Sequence, residues 1–221
     1  MLSWDFILEF AIYGENIVKK LVCFILILGC AAPANAGDAE KGKALYAVCT
    51  ACHGEDGGGK KELAAPRLAG QEDWYLRAQV LKFKDGLRGY DPKDTAGLQM
   101  RPMAMTLAND EAVDNVVAYI MELKAKSPVE KAEGGDPEKG KALYQVCAAC
   151  HGDKAQGKKE LNAPRLEIQN GWYLSHQLQA FKDGLRGKDP KDATGSQMRP
   201  MAMTLSEDGV KDVVAYILTL K

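Results

Sequence analysis

From residue 37 onward, apolar positions recur along the chain at helical spacing, and they do so in two successive copies. In the first copy Leu45, Val48 and Cys52 keep one helical face behind Asp38, a residue suited to capping a helix start. The second copy repeats the segment as "GDPEKGKALYQVC", where Asp136 precedes Pro137: a favoured cap followed by a favoured first helical position. A second helix is predicted from about Glu72 to Lys84, with Leu76, Val80 and Phe83 on one face. It has acids at its start, Lys82 and Lys84 at its end, and Gly86 to stop it. A last helix, about Asn109 to Lys124, buries Val113, Val116, Val117 and Ile120. No stretch alternates convincingly with period two, so the expected class is all-α, with three to four helices per copy.

Laying Gly37 on Gly135 keeps the copies in register through "KFKDGLRGYDPKD" and "AFKDGLRGKDPKD" and through "QMRPMAMTL" in both. One residue is lost near Glu207, after which "VVAYI" recurs. The expected domains are 37–126 and 135–221, joined by a polar, Pro- and Gly-containing linker at 127–134. A domain of this size retains little stability margin without a staple.

The chain has 221 residues, 46% hydrophobic and 27% charged, with a net charge of -1. That balance is ordinary for a globular protein, and it offers no basic field to recommend nucleic acid as a partner. Lys19 and Lys20 precede the apolar run "LVCFILILG", and "ANA" follows with small residues, so residues 1–36 read as a secretory signal peptide cleaved before Gly37. The run is too short to span a bilayer. Residues 1–17 are acidic where a leader should be basic, which suggests that translation starts near Val18. "ILGC" ending at Cys30 resembles a lipid-attachment site, with Leu28 a poor fit, so a lipid anchor is the weaker expectation. Export to the periplasm leaves four cysteines in the mature chain: Cys49, Cys52, Cys147 and Cys150.

These lie in "CTACH" and "CAACH". At a helix end, residues i, i+3 and i+4 share nearly one face, so Cys49, Cys52 and His53 can address one flat object, as can Cys147, Cys150 and His151. The spacing is that of c-type haem attachment, with two thioethers and an iron-binding His, and the macrocycle then supplies the core that a small domain lacks. A redox dithiol normally follows a strand in a βαβ unit, and a zinc site needs four closed ligands. Two copies in register favour haem over either. Low-spin iron takes a sixth ligand, for which Met is the soft choice; Met100, Met103 and Met105, repeated as Met198, Met201 and Met203, are the candidates.

With "RLAGQ", "QVLKFKDGLR" and "QLQAFKDGLR", the Met-rich stretches, and the terminal "LANDEAVDNVVAYI" and "LSEDGVKDVVAYI", the chain resembles the di-haem cytochrome c4 family of tandem class I c-type cytochromes. The resemblance covers Gly37 to Lys221. It implies two covalently bound haem c groups, with Met100 and Met198 as axial ligands opposite His53 and His151, and Met103 and Met201 as runners-up. It also implies that the carbonyls of Pro66 and Pro164, equally spaced after each His, accept the imidazole Nδ1–H bonds and fix the rings.

Trp74, Tyr75, Trp172 and Tyr173 could cover a haem edge or pack as core. Arg88 and Arg186 could pair with propionates or face solvent, and His176, which replaces Ala78, is expected at the surface. The implied function is single-electron transfer. The donor would be a quinol-oxidising complex or dehydrogenase and the acceptor a haem-copper oxidase or reductase, with peripheral membrane association left open. The competing readings are the cytochrome subunit of a sulfide- or thiosulfate-oxidising dehydrogenase and a di-haem peroxidase.

Overall fold

The computed structural model describes residues 37–220; the leader, the start near Val18 and Cys30 lie outside the described residues. The first copy forms α1 (Ala39–Tyr46), α2 (Thr50–His53), α3 (Asp73–Lys84), α4 (Thr95–Met105) and α5 (Asp110–Glu122). The second forms α6 (Pro137–His151), α7 (Gly171–Lys182), α8 (Ala193–Met203) and α9 (Glu207–Ile217). A short 3-10 turn follows the Cys/His segment in each, at Lys61–Leu63 and Lys159–Leu161. Among the described residues there is no named strand, only two isolated bridges.

Caps start these helices as the side chains suggest. The Asp38 carboxylate accepts from Lys41 N at 3.1 Å, and that of Asp136 accepts from Glu138 N at 3.0 Å. In the first copy the opening helix tightens at Ala47–Cys49, where Cys49 N bonds Tyr46 O at 2.8 Å, and α2 resumes with His53 N on Cys49 O at 2.8 Å. In the second copy α6 runs unbroken to His151.

In each copy the first helix lies against the last: α1 on α5, and α6 on α9. Gly42 and Gly140 sit where the backbones touch; a Cβ at either would fall 1.9 Å from the carbonyl oxygen of Asn115 or Asp212. The crossing is clamped by Asp38 N on Asn115 Oδ1 and Asp136 N on Asp212 Oδ1, both 2.7 Å. Tyr46 and Tyr144 plug it, each 1% exposed, with Val113, Val116, Val117 and Ile120 in one core and Val210, Val213, Val214 and Ile217 in the other.

Two expectations need refinement. The helices α4 and α8 carry no apolar stripe and contain Pro102 and Pro200, so periodicity alone did not pick them out. They start on the carboxylates of Asp94 and Asp192, which accept from Gly97 N at 2.9 Å and Gly195 N at 3.0 Å. Val48, placed on the apolar face of the first helix, is instead 51% exposed, and its counterpart Val146 is 59% exposed. Their side chains do not join the helix-pair core. From Gly37 onward the two copies pack as one unit.

Candidate functional site

The end of α6 presents Cys147, Cys150 and His151, and α2 with the turn before it presents Cys49, Cys52 and His53. Gly54 and Gly152 close these helices at φ +80 and +82, and their carbonyls accept the hydroxyls of Tyr46 at 2.9 Å and Tyr144 at 2.7 Å. The following loop turns back beneath the histidine. His53 Nδ1 lies 2.9 Å from the Pro66 carbonyl and His151 Nδ1 lies 2.8 Å from that of Pro164. Close passage of the loop requires glycine: a Cβ at Gly59 would sit 2.6 Å from Ala65 O and 2.7 Å from the carbonyl carbon of Pro66, and Gly157 repeats the arrangement. Lys60 and Lys158 tie the same loops to the carbonyls of Ala51 and Ala149, both at 2.8 Å.

A carbonyl can only accept, so each imidazole carries its proton on Nδ1 and leaves the Nε2 lone pair free for a metal. Burial pushes both histidines below their ordinary range, against the opposing pull of the proline carbonyls, and so favours the neutral ligand form. Burial first, then Cys52, pushes the Cys49 thiol up to about 11. Cys147 is raised mainly by burial as well. A redox dithiol requires the opposite shift. Among the described residues no group of three or more His, Cys, Asp or Glu is arranged to hold a metal by itself, so a closed zinc site does not fit.

In the second copy Cys147, Cys150 and His151 line one cavity together with Met198 and Met201. Leu166, Leu174, Phe181 and Leu205 are among its apolar walls, and the exposed Val146 belongs to it too. Two thiols, a neutral imidazole and thioethers around an apolar chamber are the donor set and surroundings that fit haem c. Both candidate methionines reach the chamber, whereas Met203 does not line it. Met100 and Met198 are half-buried; Met103 and Met201 are 41% and 45% exposed.

Pro164 also lines this cavity, as do Tyr173 and, from the first copy, Tyr75, Gln71, Gln79 and Lys82. Trp74 and Trp172 pack edge-on against their neighbouring tyrosines at centroid distances of 5.8 and 5.7 Å. The Trp172 indole N–H is buried without a partner among the described residues. The His176 side chain is exposed and bonds its neighbour Gln177.

At the contact between the copies stand Arg88 and Arg186, each 5% exposed rather than facing solvent. Arg88 donates to Gln79 Oε1 at 2.9 Å and to Gln177 Oε1 at 3.2 Å; Arg186 donates to Gln177 Oε1 at 2.5 Å and Gln79 Oε1 at 3.1 Å. Each guanidinium also lies over its own domain's phenylalanine, Phe83 at 4.3 Å and Phe181 at 4.4 Å. Burial first, and the charge of Arg186 next, bear against the charge of Arg88, and the Nε–H groups of both arginines lack partners. Two like charges at a buried site need anions, and haem carries two carboxylates. Around this centre the contacts are reciprocal: Gln71 donates to Arg165 O at 3.2 Å and Gln169 to Arg67 O at 2.9 Å. Sequence reasoning raised the arginines but missed Gln79, Gln177 and Lys82. The in-register repetition of the glutamines was the available signal.

Comparison with known proteins agrees with this geometry. The family model "Cytochrome c" matches twice, over residues 39–124 and 137–221. The chain is 32% identical to cytochrome c4 of Azotobacter vinelandii over 211 residues, covering 90% of this chain and 97% of that one. It is 30% identical over 179 residues to the thiosulfate dehydrogenase electron acceptor of Stutzerimonas stutzeri (strain A1501), covering 76% of this chain and 77% of that protein. The crystal structure of reduced recombinant cytochrome c4 from Pseudomonas stutzeri superimposes with a TM-score of 0.67 at 30% identity, covering 82% of this chain and 98% of that chain.

Proposed function

This chain belongs to the cytochrome c family, in its tandem cytochrome c4 form, and from that premise we propose a di-haem carrier of single electrons that works in the periplasm between a membrane quinol-oxidising complex or a dehydrogenase and a terminal oxidase or reductase. It is an electron-transfer protein rather than an enzyme, with two haem c groups bound through Cys49 and Cys52 and through Cys147 and Cys150. Bound haem supplies a one-electron Fe(III)/Fe(II) couple. The chain's own part is to hold that couple still and dry.

The observation that carries this reading is the pair of histidines aimed from behind by proline carbonyls at 2.9 and 2.8 Å. The bond fixes ring orientation and makes Nε2 the ligating atom, and it strengthens the donor. Met100 and Met198, which are more buried than Met103 and Met201, would supply the second protein ligand to a bound haem iron. A thioether favours Fe(II), and closure on both sides keeps exchangeable ligands away. Arg88 and Arg186 fit the role of holding propionates near the contact between the copies.

A second reading, a cytochrome subunit serving a sulfide- or thiosulfate-oxidising dehydrogenase, is favoured by the likeness to a thiosulfate dehydrogenase electron acceptor. The transfer chemistry is the same, and only the permanence of the partner differs. A redox titration of the purified protein followed in the visible bands tests the central claim. Two one-electron waves, a weak red thioether-to-ferric-iron band and indifference of the reduced protein to carbon monoxide are expected. Stoichiometric carbon monoxide binding, or pigment stripped by acidified acetone, would refute it. Size exclusion of the native complex separates a free carrier from a subunit.

A further inference from the structure

Among the positions at which the two copies differ, position 82 is Lys and its counterpart, position 180, is Ala. Lys82 crosses from α3 of the first copy to the second, where its ammonium lies 2.6 Å from the Asp192 carboxylate and bonds the hydroxyl of Thr194. The side chain of Asp192 is fully enclosed and that of Lys82 is 15% exposed. Both Lys82 and Thr194 line the chamber that holds His151 and Met198. In the first copy the matching carboxylate, Asp94, also caps its helix and is 6% exposed. Among the described residues it pairs with no Lys or Arg. The wall of the second chamber therefore carries the Lys82 ammonium with the Asp192 carboxylate enclosed behind it, whereas the matching Asp94 of the first copy has no such cation. Burial, with Arg186 and Arg88 adding to it, pushes the Lys82 amine below its ordinary range, and the Asp192 carboxylate offsets part of that.

Resting on the di-haem carrier reading, we propose that Lys82 is the residue that makes the two redox centres unequal, drawing a single electron toward the C-terminal one. The oxidised centre carries one more positive charge than the reduced one, so a cation in the wall disfavours the oxidised form and an unbalanced carboxylate favours it. In the second copy Lys82 stands in the wall and cancels the Asp192 carboxylate behind it, while in the first copy Asp94 is left unbalanced, so the oxidised form is favoured more in the first. The step is a one-electron exchange between two iron centres in one chain, and no proton or bond changes hands.

The test uses the full haem-loaded protein reduced by one electron, with the electron's distribution between the centres read from haem-methyl NMR signals and checked by spectroelectrochemistry. Lys82→Gln should reduce the preference for the C-terminal centre roughly three- to tenfold, at most about 59 mV for a one-electron couple. Ala180→Lys should lift the N-terminal centre instead. Lys82→Arg should change nothing. Two normal one-electron waves that ignore these substitutions, or that move together, overturn the assignment of Lys82 while leaving the carrier reading intact. A protein without two such waves overturns both.

Discussion

At Gly140 one helix backbone rests on another, and this contact offers a sharp test. Gly140→Ala adds one methyl group that would meet Asp212 O at 1.9 Å, its carbonyl carbon at 2.5 Å and Tyr216 Cβ at 2.9 Å. None of these is the movable end of a side chain, so α6 and α9 must separate by about 1.5 Å to recover ordinary contact. That strain costs ~1–3 kcal/mol. The same movement pulls on the bond from Asp136 N to Asp212 Oδ1, now 2.7 Å, whose loss costs about 1 kcal/mol. Against this stands a helix-propensity gain of about 1 kcal/mol for Ala over Gly. The balance is a destabilisation of about 1–3 kcal/mol. At roughly 4–8 °C per kcal/mol for a domain of this size, the melting midpoint of the C-terminal half should fall by about 5–20 °C. The assay is thermal unfolding of the haem-loaded protein by far-UV circular dichroism, with the red ferric band followed in parallel. Gly134→Ala is the control: nothing lies within 4 Å of the new methyl, φ is +77, and only about 1 kcal/mol of left-handed strain is expected. If Gly140→Ala melts with the wild type, or no lower than Gly134→Ala, the backbone-contact argument is wrong.

Met198→Ala should open one of the two centres to carbon monoxide and remove about half of the red band, while Met201→Leu should leave both signals unchanged; the reverse pattern would move the ligand to Met201. The phenols of Tyr46 and Tyr144 are raised above their ordinary range, first by burial and then by Cys49 and Cys147 respectively. Both stay protonated in the folded chain where the unfolded chain releases a proton, so their contribution is complete below about pH 10 and is lost progressively above it. Tyr144→Phe should flatten that alkaline decline in guanidinium unfolding midpoints while lowering stability at neutral pH by about 1 kcal/mol, from the bond to Gly152 O; an unchanged alkaline slope would exclude Tyr144 as its source.

Much of this protein is readable from local pattern. The caps at Asp38 and Asp136, the faces of α3 and α5, the duplication, and the Cys–Cys–His triplets all depend on helical period and short-range hydrogen bonds. These act over a few residues and are written in adjacent letters. Each of the proline carbonyls stands 13 residues from its histidine, and that link was visible only because the resemblance supplied it and the repeat doubled it. The helices α4 and α8 were less legible, since a helix that contains a proline and shows no apolar stripe is held by its cap and its neighbours rather than by its own periodicity.

Three features came from tertiary structure alone. The arginines and glutamines meet across 89 and 107 positions of chain, and no local rule says that two cations will be brought together and buried. Whether Met198 or Met201 is better enclosed depends on how α8 lies against its surroundings. Lys82 reads as an ordinary cation at a helix end, and only docking of one repeat on the other carries it to Asp192 and the second chamber. The duplication, the helical class and the chemistry of each Cys–Cys–His site are local properties, because each follows from period and spacing. The fold decided which charges meet and how the two near-identical halves differ, because electrostatic inequality arises from contacts between residues far apart in the chain.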